Sequence, residues 1–298
     1  MPRGVTGRDW LGLSLLCVMW GTAFTFTRAA VASVPPIGVA AGRVAVGALV
    51  LVVAVRGLGL RLPSSPRLWV WFGAVGIVGN ALPFFLISWG QERLSSGLAG
   101  ILMAVNPLAT LLLAHRFVEG ERIHARRAWG FGLGFAGVVV LIGPEALAEI
   151  GGKPSEVVRQ IAVLAGACCY AVASVLMGRM PATDARLAAA GVLAVTSLLV
   201  VPVAVAAGRP LAEVEPLSVA AVVWLGLVPT ALATILYFRV IASAGPTFLS
   251  LVNYPMPVVA VLAGALVYGE RPGLSALAGL ALVLGALALA GPGGGRRT

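Results

Sequence analysis

The sequence predicts an all-α integral membrane protein, with ten transmembrane helices arranged as two inverted five-helix repeats. Three observations carry that expectation. First, 59% of the 298 residues are hydrophobic and only 11% are charged, whereas soluble domains carry about 25% charge. Mean hydropathy is +1.00, and a compact water-soluble chain of this size needs a polar exterior that this composition does not supply. Second, ten apolar runs of about 20 residues take roughly 200 positions and leave about 98 for loops and tails, so no soluble domain fits. Third, the two halves align on each other at an offset of about 150 residues, and such self-similarity governs the whole fold.

Read against Gly, Pro and charge breaks, the runs fall in order as follows. Span one, 11–28, carries Trp20-Gly21, and its Trp20, Phe24 and Thr27 share one face at i, i+4, i+7. Arg3 and Arg8 before it and Ala30-Val31-Ala32 after it resemble a secretory leader with its cleavage site. Span two, 37–55, holds Arg43, the one strong charge well inside a run. Span three, 68–89, places Asn80, Phe84 and Ser88 on one face around Pro83. Span four, 97–115, contains Asn106-Pro107 and is followed by Gly120-Glu121-Arg122. Span five, 128–143, includes Gly132 to Gly137, which spells G-x-G-x-x-G. A dinucleotide fingerprint must follow a strand and open a helix, so these glycines read as close helix packing.

The second half repeats the pattern. Span six, 160–178, aligns Tyr170, Ser174 and Met177 with Trp20, Phe24 and Thr27, so span one belongs to the fold and is not a leader. Span seven is 187–207. Span eight, 217–240, groups Thr230, Thr234 and Tyr237 on one face beside Pro229, and Tyr237 is the repeat equivalent of Ser88. Span nine, 247–268, carries Asn253-Tyr254-Pro255 and Pro257, followed by Gly269-Glu270-Arg271, which aligns with Gly120-Glu121-Arg122. Span ten, 273–290, closes the chain. The repeats divide at 1–148 and 149–298.

Five spans per repeat return the chain to the opposite side, so the second repeat is inverted. Inverted repeats about an axis in the membrane plane are the architecture of secondary transporters. With the N-terminus inside, fourteen Arg residues fall on the cytoplasmic side and six basic residues outside, with Arg43 left within its span; basic residues are retained in the cytoplasm, so both termini are expected there. Trp10, Trp69, Trp89 and Trp129 lie near span ends, where indoles anchor. Lys153 is the single lysine among 21 basic residues, and this with heavy Ala, Gly and Val usage points to a GC-rich bacterial genome.

Function follows from the polar punctuation. A proline in a helix frees a carbonyl one turn back, and in hydrocarbon that carbonyl must find a partner or line a watery cavity. Pro83 and Pro229 occupy corresponding spans, as do Pro107 and the Pro255/Pro257 pair. These helix kinks, with Trp20, Asn80, Ser88, Tyr170, Thr234, Tyr237, Asn253 and Tyr254, form the expected solute site; structural kinks and simple helix-to-helix hydrogen bonds are the alternative reading of the same residues. Arg43 has two readings: a snorkelling anchor, since it lies about 10 Å from the outer end of its helix, or a contact to an anionic solute.

The net charge of +10 is scattered singly and in pairs rather than gathered on one face, so nucleic acid is not an expected partner. Cys17, Cys168 and Cys169 sit in apolar runs without ligand spacing; they read as buried packing residues, with no metal or cofactor implied. His115 and His124 belong to a cytoplasmic basic loop. Glu121 and Glu270 read as loop contacts. No H-E-x-x-H, no G-x-S-x-G and no pair of buried carboxylates argues for an enzyme.

Ten short spans, the five-plus-five repeat, Trp20-Gly21 in the first helix, and proline-containing fourth and ninth helices each followed by Gly-Glu-Arg resemble the EamA-type drug/metabolite transporter superfamily. The resemblance implies export or exchange of a small metabolite, often an amino acid, across the bacterial inner membrane through a central cavity between the halves. The small multidrug branch uses a membrane-embedded glutamate, and span one here has no acidic residue. The partners expected are a small-molecule solute and membrane lipids; a homodimer is compatible with the reading. A lipid or polyprenyl-carrier flippase, which would show a cavity open sideways to lipid, and a passive channel are the rivals.

Overall fold

The computed structural model describes residues 5–94, 96–119, 123–142, 147–148, 150–207, 214–256, 258–259 and 274–290. Six helical runs are long and apolar enough to cross a membrane: Gly7–Val31, Pro36–Gly57, Pro66–Gln91, Pro154–Arg179, Ala185–Ala206 and Pro216–Asn253. Ser96–Met103, Val105–Phe117, Ala125–Ile142 and Leu274–Ala290 are further helices. No strand occurs among the described residues. Exposed apolar side chains cover the outside, with Leu198 74% and Val70 73% exposed. Water would penalise such a surface, and lipid matches it.

In chain order the elements are α1 (Gly7–Gly21) and α2 (Ala23–Val31), α3 (Pro36–Gly57), α4 (Pro66–Gly76) and α5 (Leu82–Gln91), α6 (Ser96–Met103) and α7 (Val105–Phe117), α8 (Ala125–Ile142), α9 (Pro154–Arg179), α10 (Ala185–Ala206), α11 (Pro216–Gly226), α12 (Ala233–Ser250) and α13 (Leu274–Ala290). Proline at the first turn starts α3, α4, α9 and α11, where its missing N–H has no helical partner to lose. Asp184 caps α10 by accepting from the Arg186 N–H at 2.8 Å. The last long run turns at Gly245, whose φ of 84° favours glycine.

The expected kinks take a particular form. Ile77–Ala81 and Leu227–Leu232 are π-helical segments at matching places in the two halves. The Leu82 N–H returns to the Ile77 carbonyl, five residues back. An α-turn there would set the ring of Pro83 against the carbonyl of Gly79; widening by one residue removes that conflict and leaves the run continuous. Pro229 lies inside its π segment. Pro107 sits in the first turn of α7, after the run breaks at Ala104, and therefore costs no helical hydrogen bond. The 3₁₀ turn Leu251–Asn253 precedes Pro255, and Pro257 lies outside the described residues. The halves differ at their first helices. Gly7–Val31 breaks at Thr22, whose hydroxyl donates to the Met19 carbonyl at 2.9 Å, whereas α9 runs unbroken for 26 residues.

Glycines set the helix spacing. A Cβ at Gly47 would meet Leu193 at 2.9 Å and a Cβ at Gly226 would meet the Arg43 carbonyl at 3.1 Å, so α3 packs directly on α10 and α11. A Cβ at Gly137 would lie 2.9 Å from the Val283 backbone, and one at Gly134 would overlap the Tyr254 ring at 2.6 Å. The glycine hexad is therefore a packing surface in the middle of α8. Cys17 is buried, but Cys168 is exposed and Cys169 intermediate. That corrects the expectation for α9: the helix shows Cys168 to the apolar exterior, where a thiol is tolerated as a small hydrophobe. His115 ends up in the last turn of α7 rather than in the loop, while Glu121 and Glu270 lie outside the described residues.

Candidate functional site

A cavity of about 110 Å³ lies where the broken and bulged helices converge, lined from both halves. Six lining residues are the two aligned triads: Trp20, Phe24 and Thr27 from the first run, and Tyr170, Ser174 and Met177 from α9. The 3.6-residue period puts each triad on one helix face, and the packing of the halves turns both faces inward.

The carbonyl of Pro229, in the second π segment, accepts from the Trp20 indole N–H at 2.9 Å. The Trp20 and Tyr237 rings lie 5.4 Å apart and tilted by 59°. Tyr237 shares a 2.6 Å hydrogen bond with Ser174, whose hydroxyl also reaches the Tyr170 carbonyl at 2.8 Å. Thr234 lines the cavity and ties its hydroxyl to the Thr230 carbonyl. On the other wall Asn253 donates to Asn106 Oδ1 at 2.9 Å, and Asn106 donates to the Ala167 carbonyl at 2.9 Å. These bonds leave Asn80 and Ser88 on the lining, and the Ser88 hydroxyl is buried without a hydrogen-bond partner.

Arg43 lies on the cavity lining. It is 6% exposed, so it does not snorkel to the helix end. Its guanidinium sits 3.8 Å above the centre of the Phe84 ring, and its Nε donates to Thr230 at 3.3 Å. A ring face attracts a cation, but it leaves most of the guanidinium N–H donors available. No carboxylate lines the cavity among the described residues.

Of the residues expected from the sequence, Trp20, Arg43, Asn80, Ser88, Tyr170, Thr234, Tyr237, Asn253 and Pro229 come together on this lining. Tyr254 does not. It is fully buried, with its ring 5.9 Å from Phe131 and its hydroxyl donating to the Phe131 carbonyl at 2.8 Å. The tight turn at Leu251–Asn253 rotates consecutive residues apart, so Asn253 faces the cavity while Tyr254 packs on α8 over Gly134. Pro83, Pro107 and Pro255 shape the helices without lining the cavity. Phe84 shared a helix face with Asn80 and Ser88, Asn106 preceded the expected kink at Pro107, and Ser174 aligned with Phe24, yet no spacing rule announced their contacts across the halves.

The two ends of the cavity differ. On the side where the chain begins, Asp9 accepts from the Thr6 N–H and hydroxyl at 2.7 and 2.6 Å and from the Ser243 hydroxyl. Trp10 meets Phe248 edge-on at 5.0 Å. The beginning of α1 is thereby fixed to α12. At the other end a recess of about 530 Å³ is lined by Arg28, Val31, Ala32, Gln91, Glu92, Arg93 and Arg159.

The EamA-like transporter family model matches residues 10–143 and again 159–291. A probable terminal-alkyne amino-acid exporter of Streptantibioticus cattleyicolor is 29% identical over 94% of this chain and 90% of its own. The uncharacterized inner membrane transporter YedA of Escherichia coli is 26% identical over 91% of this chain and 85% of its own. A crystal structure of another protein superposes with a TM-score of 0.79 at 24% identity, covering 96% of this chain and 98% of that one, which shows the shared fold. With six helical runs long and apolar enough to cross a membrane and a family match in each half, the chain belongs to the EamA-like transporter family.

Proposed function

We propose that this protein is a secondary transporter that exports or exchanges a small organic metabolite, an amino acid or a related carboxylate, across the bacterial inner membrane by alternating access. Ten helices, five from 1–148 and five inverted from 149–298, rock about the central cavity with both termini in the cytoplasm. One observation carries the reading: the cavity between the halves holds a buried guanidinium, Arg43, that lies over the Phe84 ring, and no carboxylate lines the cavity among the described residues. A buried charge needs a counter-charge, and a solute carboxylate supplies one that comes and goes. Trp20, Tyr170 and Tyr237 offer apolar faces to the remainder of the solute, while Ser88, Asn80, Thr234 and Asn253 offer a few hydrogen-bonding groups, the mixture that small-molecule pockets use. The amino-acid exporter among the relatives supports the same solute class.

The unbonded Ser88 hydroxyl and the Thr230-held guanidinium both line this cavity. With the termini in the cytoplasm, the contacts of Asp9 with Ser243 and of Trp10 with Phe248 lie on the cytoplasmic side, and opening toward that side would part them. The purified protein is expected to gain thermal stability from one or a few members of an amino-acid panel, since a ligand that binds the native state raises its apparent stability by mass action. Counterflow of the same compounds in proteoliposomes then tests transport; saturable exchange is expected, and non-saturating flux would replace the reading with a channel. A lipid or polyprenyl-carrier flippase is the second reading considered from the sequence, and no observation favours it.

A further inference from the structure

We propose that the recess at the far end of the cavity is a second, outer subsite for the carboxylate of the solute, built on Gln91 with Arg28 and Arg93, and that the solute passes between it and Arg43. The inference rests on the transport reading above and adds a site to it.

Gln91 is 5% exposed, and neither its amide oxygen nor its amide nitrogen has a hydrogen-bond partner. Such a group is expensive to leave unsatisfied, yet it lines the recess. Three residues earlier on the same helix, Ser88 is likewise buried and unpartnered, and it lines the inner cavity. Residues at i and i+3 share a helix face, so the two unmet polar groups stand one above the other along one wall. The opposite wall repeats the arrangement, with Thr27 on the inner cavity and Val31, one turn on, lining the recess. The two chambers are therefore successive stations along α2 and α5.

Charge selects the ligand. Glu92 is already neutralised by Arg159 at 2.7 Å, and Arg159 is held further by the Trp89 carbonyl and by the Trp89 ring, 4.5 Å from its guanidinium carbon. Arg28 and Arg93 have no carboxylate partner among the described residues, so the recess keeps a positive balance. A guanidinium fork donates two parallel N–H bonds to a carboxylate in its own plane. The Gln91 amide adds N–H donors for the same carboxylate and an oxygen acceptor for an ammonium, which fits an α-amino acid zwitterion better than a simple anion.

The test uses the full chain in phosphatidylcholine vesicles, with Cys17, Cys168 and Cys169 changed to alanine and Val31→Cys as a reporter thiol in the recess. A negatively charged methanethiosulfonate is expected to modify that thiol about ten-fold faster than a cationic one, because a charged cleft concentrates the opposite charge. Arg28→Gln with Arg93→Gln should bring the ratio toward one. Each of the twenty L-amino acids and its carboxamide then serves as the probe: acids that stabilise the protein should slow modification, and their amides should not. Protection should disappear in Gln91→Leu and in Gln91→Glu, which keeps the shape and repels a carboxylate, and should persist in Arg43→Gln. If amino acids stabilise the protein but never protect the thiol, the outer subsite is overturned and the inner site stands. If they do neither, both readings fall. Protection that appears only when phosphatidylglycerol is added assigns the recess to a lipid headgroup and overturns the proposal.

Discussion

The indole N–H of Trp20 donates to the carbonyl of Pro229 at 2.9 Å, joining residues 209 positions apart in sequence. The bond ties the broken first run to the π segment that holds Pro229. Trp20→Phe keeps the ring and orphans the carbonyl, at a cost of about 1–3 kcal/mol for a buried unsatisfied group. A lower melting temperature is expected with insertion unchanged; an unchanged melting temperature would show that the carbonyl finds water in the cavity.

Arg43 stacks on Phe84 and leaves most of its donors facing the cavity. A lysine keeps the charge but not the planar fork, so correctly inserted Arg43→Lys should lose about ten-fold or more in kcat/KM, corresponding to about 1.4 kcal/mol of transition-state binding. Near-normal transport by that variant rules out a bidentate contact.

Tyr237 bonds to Ser174 and lies tilted beside Trp20. Tyr237→Phe removes one hydrogen bond between helices, worth about 0.6 kcal/mol in membranes, and should leave folding almost untouched while changing substrate preference. Tyr237→Ala opens the cavity and should raise KM. Unchanged constants for an identified substrate in both variants would move the site elsewhere.

Topology is tested by reporter fusions. Fusions at Arg67 and Arg126 should be active in the cytoplasm and one at Lys153 outside; the reverse pattern inverts the whole arrangement.

Asp184 lies just before α10, where the Arg186 guanidinium and backbone N–H hold its carboxyl below the usual range, at about 2 instead of 3.8. Because the folded-state value is depressed, the contribution of this cap is present above about pH 4 and fades as pH falls toward 2. Asp184→Ala should cost about 1 kcal/mol at neutral pH. The gap in melting temperature between variant and parent should close on acidification; a gap independent of pH would assign the loss to helix propensity.

The membrane class, the repeat and the residues that share a helix face were determined by the sequence alone, because hydropathy, an offset of about 150 residues and the 3.6-residue period are properties of neighbours along the chain. That is why Trp20, Phe24 and Thr27 could be grouped, and why Pro83 and Pro229 stood out as interruptions. Tertiary structure decided what those faces meet. It bulged the helices into π turns at Ile77–Ala81 and Leu227–Leu232, turned Tyr254 away from Asn253 onto Gly134, and drew Arg43 inward over Phe84 rather than out to the interface. It also left Gln91 buried without a partner on the lining of the recess. None of these follows from spacing, since each depends on which residue distant in sequence arrives at hydrogen-bonding or packing distance, and only the closing of one repeat against the other settles that.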